Sequence, residues 1–260
     1  MAVYAVIADI HGNREALAAV LGLLEERGVR RVACLGDVVG YNADPDECVA
    51  LVRSRCAAVI AGNHDLIGIG RLGFERCSNK AAYSLKRTRR MLAPQSAEFL
   101  AGLPATHVLE ESVVLVHGGV RDVQQYMTTP AHILQNAELL RADFPGARIC
   151  FFGHSHEQKV YEVDGERVRE LPAEGTLALD RNRLYFINPG SVDASRKRTA
   201  KAAECALLDT LDWSVEFART RYDAAATEAK AAAFGYRISP LTDRLYTLKR
   251  RLARRLAFNA

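Results

Sequence analysis

No apolar run in the chain approaches the ~20 residues that a membrane-spanning helix requires, which excludes a helical membrane protein. Nor does a basic n-region or cleavage site precede Val3-Tyr4-Ala5-Val6-Ile7-Ala8, so no secretory signal is expected and the expected location is cytoplasmic. Cys-x-x-Cys pairs are absent, and the six cysteines (Cys34, Cys48, Cys56, Cys77, Cys150 and Cys205) are dispersed. They read as reduced, structural thiols, with Cys34 and Cys150 inside apolar strand-like runs. Internal repeats and low-complexity linkers are missing too. Acid is scarce at the end of the chain: from Pro240 to Ala260 six basic residues (Arg244, Lys249, Arg250, Arg251, Arg254, Arg255) face Asp243 alone, a net of +5. The whole chain carries +4, so everything before that stretch sums to −1. A body without basic excess argues against a nucleic-acid partner, whose phosphates are held by clustered cations.

What is present is enough apolar sequence, 49% of 260 residues, for a sizeable core. Val3 to Ala8 reads as a strand buried on both faces and ends in Asp9-Ile10-His11-Gly12. Asn13 is an N-cap for a helix with Leu17, Val20, Leu21 and Leu24 at helical spacing. Arg31 to Leu35 is a second strand followed by Gly36-Asp37. Asp44-Pro45 reads as a cap with an N1 proline opening a second helix. Ala57 to Ala61 is a third strand followed by Gly62-Asn63-His64-Asp65. Three strands alternating with two helices imply right-handed crossovers and a parallel sheet, with ligands outside the strands' carboxyl ends.

The second half reads mainly as antiparallel β-structure. His107 to Leu109 and Val113 to Val116 form a hairpin delivering His117-Gly118, Arg148 to Phe152 ends in Gly153-His154-Ser155-His156, and Leu184 to Ile187 ends in Asn188-Pro189-Gly190-Ser191. Five of seven histidines therefore sit at strand-end motifs; His107 and His132 stand apart as surface or structural residues.

These ends bring imidazoles, carboxylates and one amide together. Such mixed ligands suit Mn²⁺, Fe²⁺, Co²⁺, Ni²⁺ or Zn²⁺, with manganese preferred, and seven of them with one shared carboxylate would supply two ions. His64 can meet a phosphate oxygen or leaving group, and Asp65 can fix its tautomer.

From Asp9 to Ser191 the order of these motifs resembles the calcineurin-like metallophosphoesterases. Leu35-Gly36-Asp37-Val38-Val39-Gly40-Tyr41 and Asn188-Pro189-Gly190-Ser191-Val192 are similar to their small bacterial phosphodiesterase branch. The resemblance implies an α/β fold, a four-layer α/β/β/α sandwich of two mixed sheets flanked by helices. It also implies that Asp9, His11, Asp37 and His156 hold one metal, that Asp37, Asn63, His117 and His154 hold the other, and that Asp37 bridges them. The loop Asp193-Ala194-Ser195-Arg196-Lys197-Arg198 departs from the family pattern, which has Pro-Arg-Asp there. Candidate phosphate-binding arginines are Arg71, Arg76, Arg121 and Arg196.

The expected protein is a two-metal phosphoric ester hydrolase acting on a small-molecule or nucleotide phosphoester, with phosphodiesters preferred. The alternatives are a phosphomonoesterase, acting on phosphoproteins or dinucleoside polyphosphates, and a non-catalytic scaffold of the same fold. His64 beside a full ligand set argues against the scaffold. The hydrolase domain is expected over 1–222 and a C-terminal helical extension over 223–260. Leu241, Leu245, Leu248, Leu252 and Leu256 make a stripe on its last, basic helix. That stripe can pack on the chain's own body, pair with a second subunit as a homodimer, or lie on an anionic membrane or nucleic acid.

Overall fold

The computed structural model describes residues 3–194 and 201–258, with side chains in the last helix described as far as residue 249. In chain order the elements are β1 (Val3–Ile7), α1 (Arg14–Glu26), β2 (Arg31–Cys34), α2 (Pro45–Arg55), β3 (Ala58–Val59), α3 (Asn63–Gly68), α4 (Asn79–Met91), α5 (Pro94–Ala101), β4 (His107–Leu109), β5 (Val113–Leu115), α6 (Pro130–Asp143), β6 (Ile149–Phe151), β7 (Gln158–Asp164), β8 (Arg167–Leu171), β9 (Thr176–Ala178), β10 (Leu184–Pro189), β11 (Ala202–Asp209), β12 (Ser214–Arg221), α7 (Ala224–Ala233) and α8 (Pro240–Phe258).

The strands form two six-stranded mixed sheets, ordered β3-β2-β1-β11-β12-β9 and β4-β5-β6-β10-β7-β8. As expected, β1, β2 and β3 run parallel. Alternation along β1 explains why its sequence is apolar throughout: Ala5 and Ile7 pack with Leu17, Val20 and Val52 under the helices, while Val6 and Ala8 pack with Leu115, Phe151 and Ile187 of the other sheet. The second sheet turns Val114, Cys150 and Phe186 outward onto Ile133 and Leu140 of α6. Helices, sheet, sheet and helices are therefore the four layers expected from the resemblance.

Local chemistry sets the ends of these elements. The Asn13 side chain accepts a hydrogen bond from Ala16 N and starts α1, whose Leu17, Val20, Leu21 and Leu24 are buried. Each such side chain stabilises the fold by about 1.5–3 kcal/mol. Pro45 is the first residue of α2, but the Asp44 side chain makes no cap bond and instead pairs with Lys230 of α7. An acid beside an incoming ammonium is drawn to the full charge before the amide dipole. The third strand is shorter than expected, and Asn63-His64-Asp65, which follow it, form the first turn of α3. The six cysteines form no disulfide, and five are buried.

The stretch beyond β12 packs onto the body. Thr227 Oγ1 of α7 donates to Asn13 Oδ1 (3.0 Å), and Lys230 also meets Glu15 (2.6 Å). In α8, Asn79 Nδ2 donates to Asp243 Oδ1 (2.8 Å) and Thr247 Oγ1 (3.0 Å), and Lys86 Nζ donates to the Tyr246 hydroxyl (3.2 Å). The leucine stripe does not make this contact. Leu241, Leu245 and Leu248 are 70%, 50% and 54% exposed, which overturns packing on the chain's own body for this part of the stripe. Tyr246 fills the space against α4 in their place and joins a cluster with Ile67 and Leu85. The side chains of Leu252 and Leu256 lie outside the described residues.

Candidate metal centre

The two sheets deliver their strand ends to one place. Asp9 and His11 follow β1, Asp37 follows β2, Asn63 and His64 open α3 after β3, His117 follows β5, and His154 and His156 follow β6. Among the described residues eight non-glycine positions have positive φ, and Asp9, His11, Asp37, His154 and His156 are five of them. Left-handed backbone is unfavourable for such residues and persists where the surroundings enforce it, as at ligand-holding turns. Gly36 is forced by close approach: its φ is +88°, and a Cβ there would collide with the Gly62 backbone that carries Asn63.

Asp9 and Asp37 each have one oxygen tied to backbone and one presented to the site. Asp9 Oδ2 accepts the His154 amide at 3.0 Å, while Asp9 Oδ1 has no hydrogen-bond partner and lies 3.3 Å from His156 Nε2. Asp37 Oδ1 accepts the His64 amide at 2.7 Å, while Oδ2 lies 3.4 Å from His117 Nε2 and 3.8 Å from His11 Nε2. The imidazoles are aimed in the same way. His117 Nδ1 faces the Leu35 carbonyl at 2.7 Å and His11 Nδ1 faces the Val39 carbonyl at 3.3 Å, so each donates there and turns Nε2 inward.

The donor set fits cations. His11 Nε2 and His156 Nε2 are 3.1 Å apart, His117 Nε2 and Asn63 Oδ1 are 3.0 Å apart, and His154 Nε2 is buried with no hydrogen-bond partner. Ligand atoms each about 2.1 Å from one ion would sit about 3.0–3.5 Å from one another, as these do. Asp9, His11 and His156 form one group able to hold a metal ion, Asp37, His117 and His154 a second, and His11, Asp37 and His64 a third that links them. His107 and His132 belong to none of these groups.

Charge tells the same story. Burial opposes ionisation of Asp37, but the positive charges of His117 and then His64 outweigh it and hold its carboxyl well below the usual range. Burial would lower His117, yet Asp37 and then Asp9 raise it to about 9. His154 is pushed down to about 3 by burial and by the neighbouring His117 charge. A buried cluster with Asp9 and Asp37 ionised, and with His154 neutral, is ready for cations.

Asp65 plays another part than the one expected of it. Its Oδ1 accepts the Val38 and Val39 amides (2.9 and 3.2 Å) and its Oδ2 accepts the Gly62 amide (2.9 Å). The carboxylate thus braces the Asp37 loop against α3, and backbone donors occupy the oxygens that were to fix the His64 tautomer. His64 is placed by packing: its ring lies 4.5 Å from His11 and 4.8 Å from Tyr41, and Nδ1 fills the space that a Cβ on Gly40 (φ +102°) would need.

A cleft of about 580 Å³, partly open to solvent, lies over Asp37, Asn63, His64, His154 and His156, with Tyr41, Arg76, Gln124 and Tyr126 in its walls. Of the candidate arginines, Arg76 lines this cleft, held by both oxygens of Asp122 (2.9 and 2.8 Å) and by Gln124 O. Arg71 instead donates to Ala101 O at the end of α5, and Arg121 forks onto Asp143 of α6. Arg196 lies outside the described residues. Sequence reasoning missed the tyrosine walls. Tyr41 stands edge-on to His11 at 4.8 Å, and Tyr126 packs on His154 at 4.0 Å while 46% exposed. Tyr41 stood inside a motif already singled out; Tyr126, in a loop of no pattern, carried no signal.

Asn188-Pro189-Gly190-Ser191 ties the loops after β1 and β6 together. Asn188 Nδ2 donates to Gly153 O (2.9 Å), Ser191 Oγ donates to Asp9 O (3.0 Å), and the Asp193 amide donates to Asp9 O (2.9 Å). Asp193, where the sequence departs from the expected pattern, is buried and accepts from Asn13 Nδ2 at 2.8 Å.

A double-sheet sandwich whose strand ends converge carboxylates, an amide and imidazoles is the arrangement of a metal-binding hydrolase. Comparison with known proteins narrows the class: the family model described as the calcineurin-like phosphoesterase superfamily domain matches residues 1–212. A protein of Methanocaldococcus jannaschii described as uncharacterized is 33% identical over 226 residues, 84% of this chain and 87% of that one. The crystal structure of a metallophosphoesterase from Sphaerobacter thermophilus superposes with a TM-score of 0.72 at 29% identity, covering 90% of this chain and 94% of that one. A hypothetical protein from Pyrococcus horikoshii OT3 shares the fold, with a TM-score of 0.68 at 19% identity over 90% and 93% of the two chains. The chain belongs to the calcineurin-like phosphoesterase superfamily, a family of metal-dependent phosphoester hydrolases.

Proposed function

We propose that the centre holds two divalent transition-metal ions, manganese first among them, and hydrolyses phosphodiesters. Asp9, His11, Asp37 and His156 would hold one ion, and Asp37, Asn63, His117 and His154 the other. The observation that carries this reading is Asp37 Oδ2, presented between His11 and His117 while Oδ1 is tied to backbone. When bound, such a pair of cations supplies a nucleophilic water at neutral pH and neutralises the phosphoryl oxygens.

The chain's own residues do the rest. The anchored carboxylates and the carbonyl-tethered imidazoles fix the donor atoms before the substrate arrives. His64, wedged between His11, Tyr41 and Gly40 at the cleft floor, would give a proton to the leaving oxygen or steady its charge. Arg76 stands in the wall where a phosphate oxygen would enter. A cytoplasmic location accords with six cysteines that form no disulfide.

A hydrolysis panel with each candidate metal tests the reading, comparing bis-p-nitrophenyl phosphate, p-nitrophenyl phosphate, cyclic nucleotides and dinucleoside polyphosphates. Faster turnover of the diesters is expected. Preference for p-nitrophenyl phosphate would make the protein a phosphomonoesterase, and turnover of none would leave the scaffold reading standing.

A further inference from the structure

Among its described side chains, helix α8 reaches the body through one face and leaves the other unpartnered. Asp243, Tyr246 and Thr247 are half-buried against α4, whereas Leu241, Arg244, Leu245, Leu248 and Lys249 are exposed. The outward pattern is leucine beside cation, and the sequence repeats it: Leu-x-x-Arg-Leu occurs at 241–245, again at 248–252 and again at 252–256. From these observations we infer that α8 is an interfacial helix that docks the protein on an anionic membrane surface, its leucines at the acyl boundary and its arginines and lysine among the headgroups.

Charge selects this occupant over a second copy of the chain. In a helix pair, cations flanking an apolar seam are matched by acids on the partner. Here Asp243 is the single acid between Pro240 and Ala260, and it is already engaged by Asn79. Two copies would bring together two stretches of net +5 with no countercharge. An anionic leaflet supplies that countercharge, and each lysine or arginine near it strengthens attachment about fivefold. The rest of the chain, at net −1, adds no attraction, so binding would reside in the helix.

Cosedimentation of the full chain with equimolar phosphatidylserine–phosphatidylcholine vesicles, and with phosphatidylcholine vesicles alone, tests the inference. The expected result is binding to the anionic vesicles only, with release as salt shortens the screening length from ~10 Å at 0.1 M to ~3 Å at 1 M. The double variant Leu245→Glu/Leu248→Glu should lose this binding at an unchanged thermal midpoint, since both side chains face solvent. The double variant Arg244→Gln/Lys249→Gln should bind about 25-fold more weakly. A wild-type chain that stays in solution, or binds both vesicle types equally, overturns the inference. So does a dimer whose mass halves in the leucine variant, which would make a second copy the occupant, and so does salt-sensitive retention on nucleic acid without vesicle binding.

Discussion

Asp37 is the residue at which the two halves of the proposed centre meet, and its neighbours set what titration should do. In the metal-free chain His117 keeps a proton up to about pH 9 because Asp37 and Asp9 outweigh its burial. A metal entering at neutral pH must displace that proton, so affinity for the second ion should rise between about pH 7 and 8.5 with a proton released. Calorimetry in buffers of different ionisation heat measures that release; affinity independent of pH over the range would contradict the assignment. The same raised value has a stability consequence of opposite sign. The protonated His117 stabilises the metal-free fold fully below its unfolded value near 6.5, and the contribution is lost as pH rises through about 9, so the metal-free thermal midpoint should fall across that window. His64 gives a second prediction. His64→Ala leaves the seven proposed ligands in place, so metal content should hold while kcat falls by roughly 10²–10⁴. The loss should be smaller with a nitrophenolate leaving group than with an alkoxide; equal losses would mean that His64 holds phosphate and donates no proton.

At the scale of elements, Arg237 joins the C-terminal extension to a loop of the centre. Arg237, beyond the residues matched by the family model, donates to the Tyr41 carbonyl at 2.8 Å and to Asn42 Oδ1 at 3.0 Å, with Glu228 holding its fork. Asn42 Nδ2 in turn donates to the His11 carbonyl at 3.1 Å. Arg237→Ala should therefore lower activity or metal affinity by about 10–100-fold, the usual cost of losing an outer partner of a metal site. Arg237→Lys should recover little, because an ammonium cannot make the fork. Wild-type kinetics and metal content in both variants would show that the loop holds its shape unaided. Elements also mark where the sequence was readable. Continuous apolar runs placed β1, β2, β5, β6 and β10, and leucines at helical spacing placed α1, because burial on one or both faces leaves that trace. Strand-end glycines, aspartates and histidines marked the loops that converge in the structure. What stayed illegible was partnership. A carboxylate looks the same whether it accepts from an imidazole or from three backbone amides, as Asp65 does, and an arginine looks the same whether it meets phosphate or Asp143, as Arg121 does. The leucine stripe gave a face and no partner; that face proved to be solvent-exposed over its described part.

For the whole molecule, the layers explain why one site serves two sheets. The apolar interior between the sheets, with Phe151, Ile187 and Leu115 at its middle, fixes the separation of the strand ends that bear Asp9 and Asp37 on one side and His117 and His154 on the other. Close-packed interiors transmit small changes in volume, so the spacing of the ligands depends on residues that touch none of them. Phe151→Ala should cost about 3–5 kcal/mol of stability, read as a lower denaturation midpoint, and weaken metal binding in the fraction that stays folded. The central claim is that seven side chains from both sheets assemble one centre for two ions, with Asp37 shared. Its most direct test is metal content and activity measured together after chelation and stepwise return of Mn²⁺. The account predicts no hydrolysis by the stripped protein, full activity only at two ions per chain, and in Asp37→Ala a larger loss of bound metal than in His11→Ala; hydrolysis by metal-free protein, or full activity with a single ion, would contradict it.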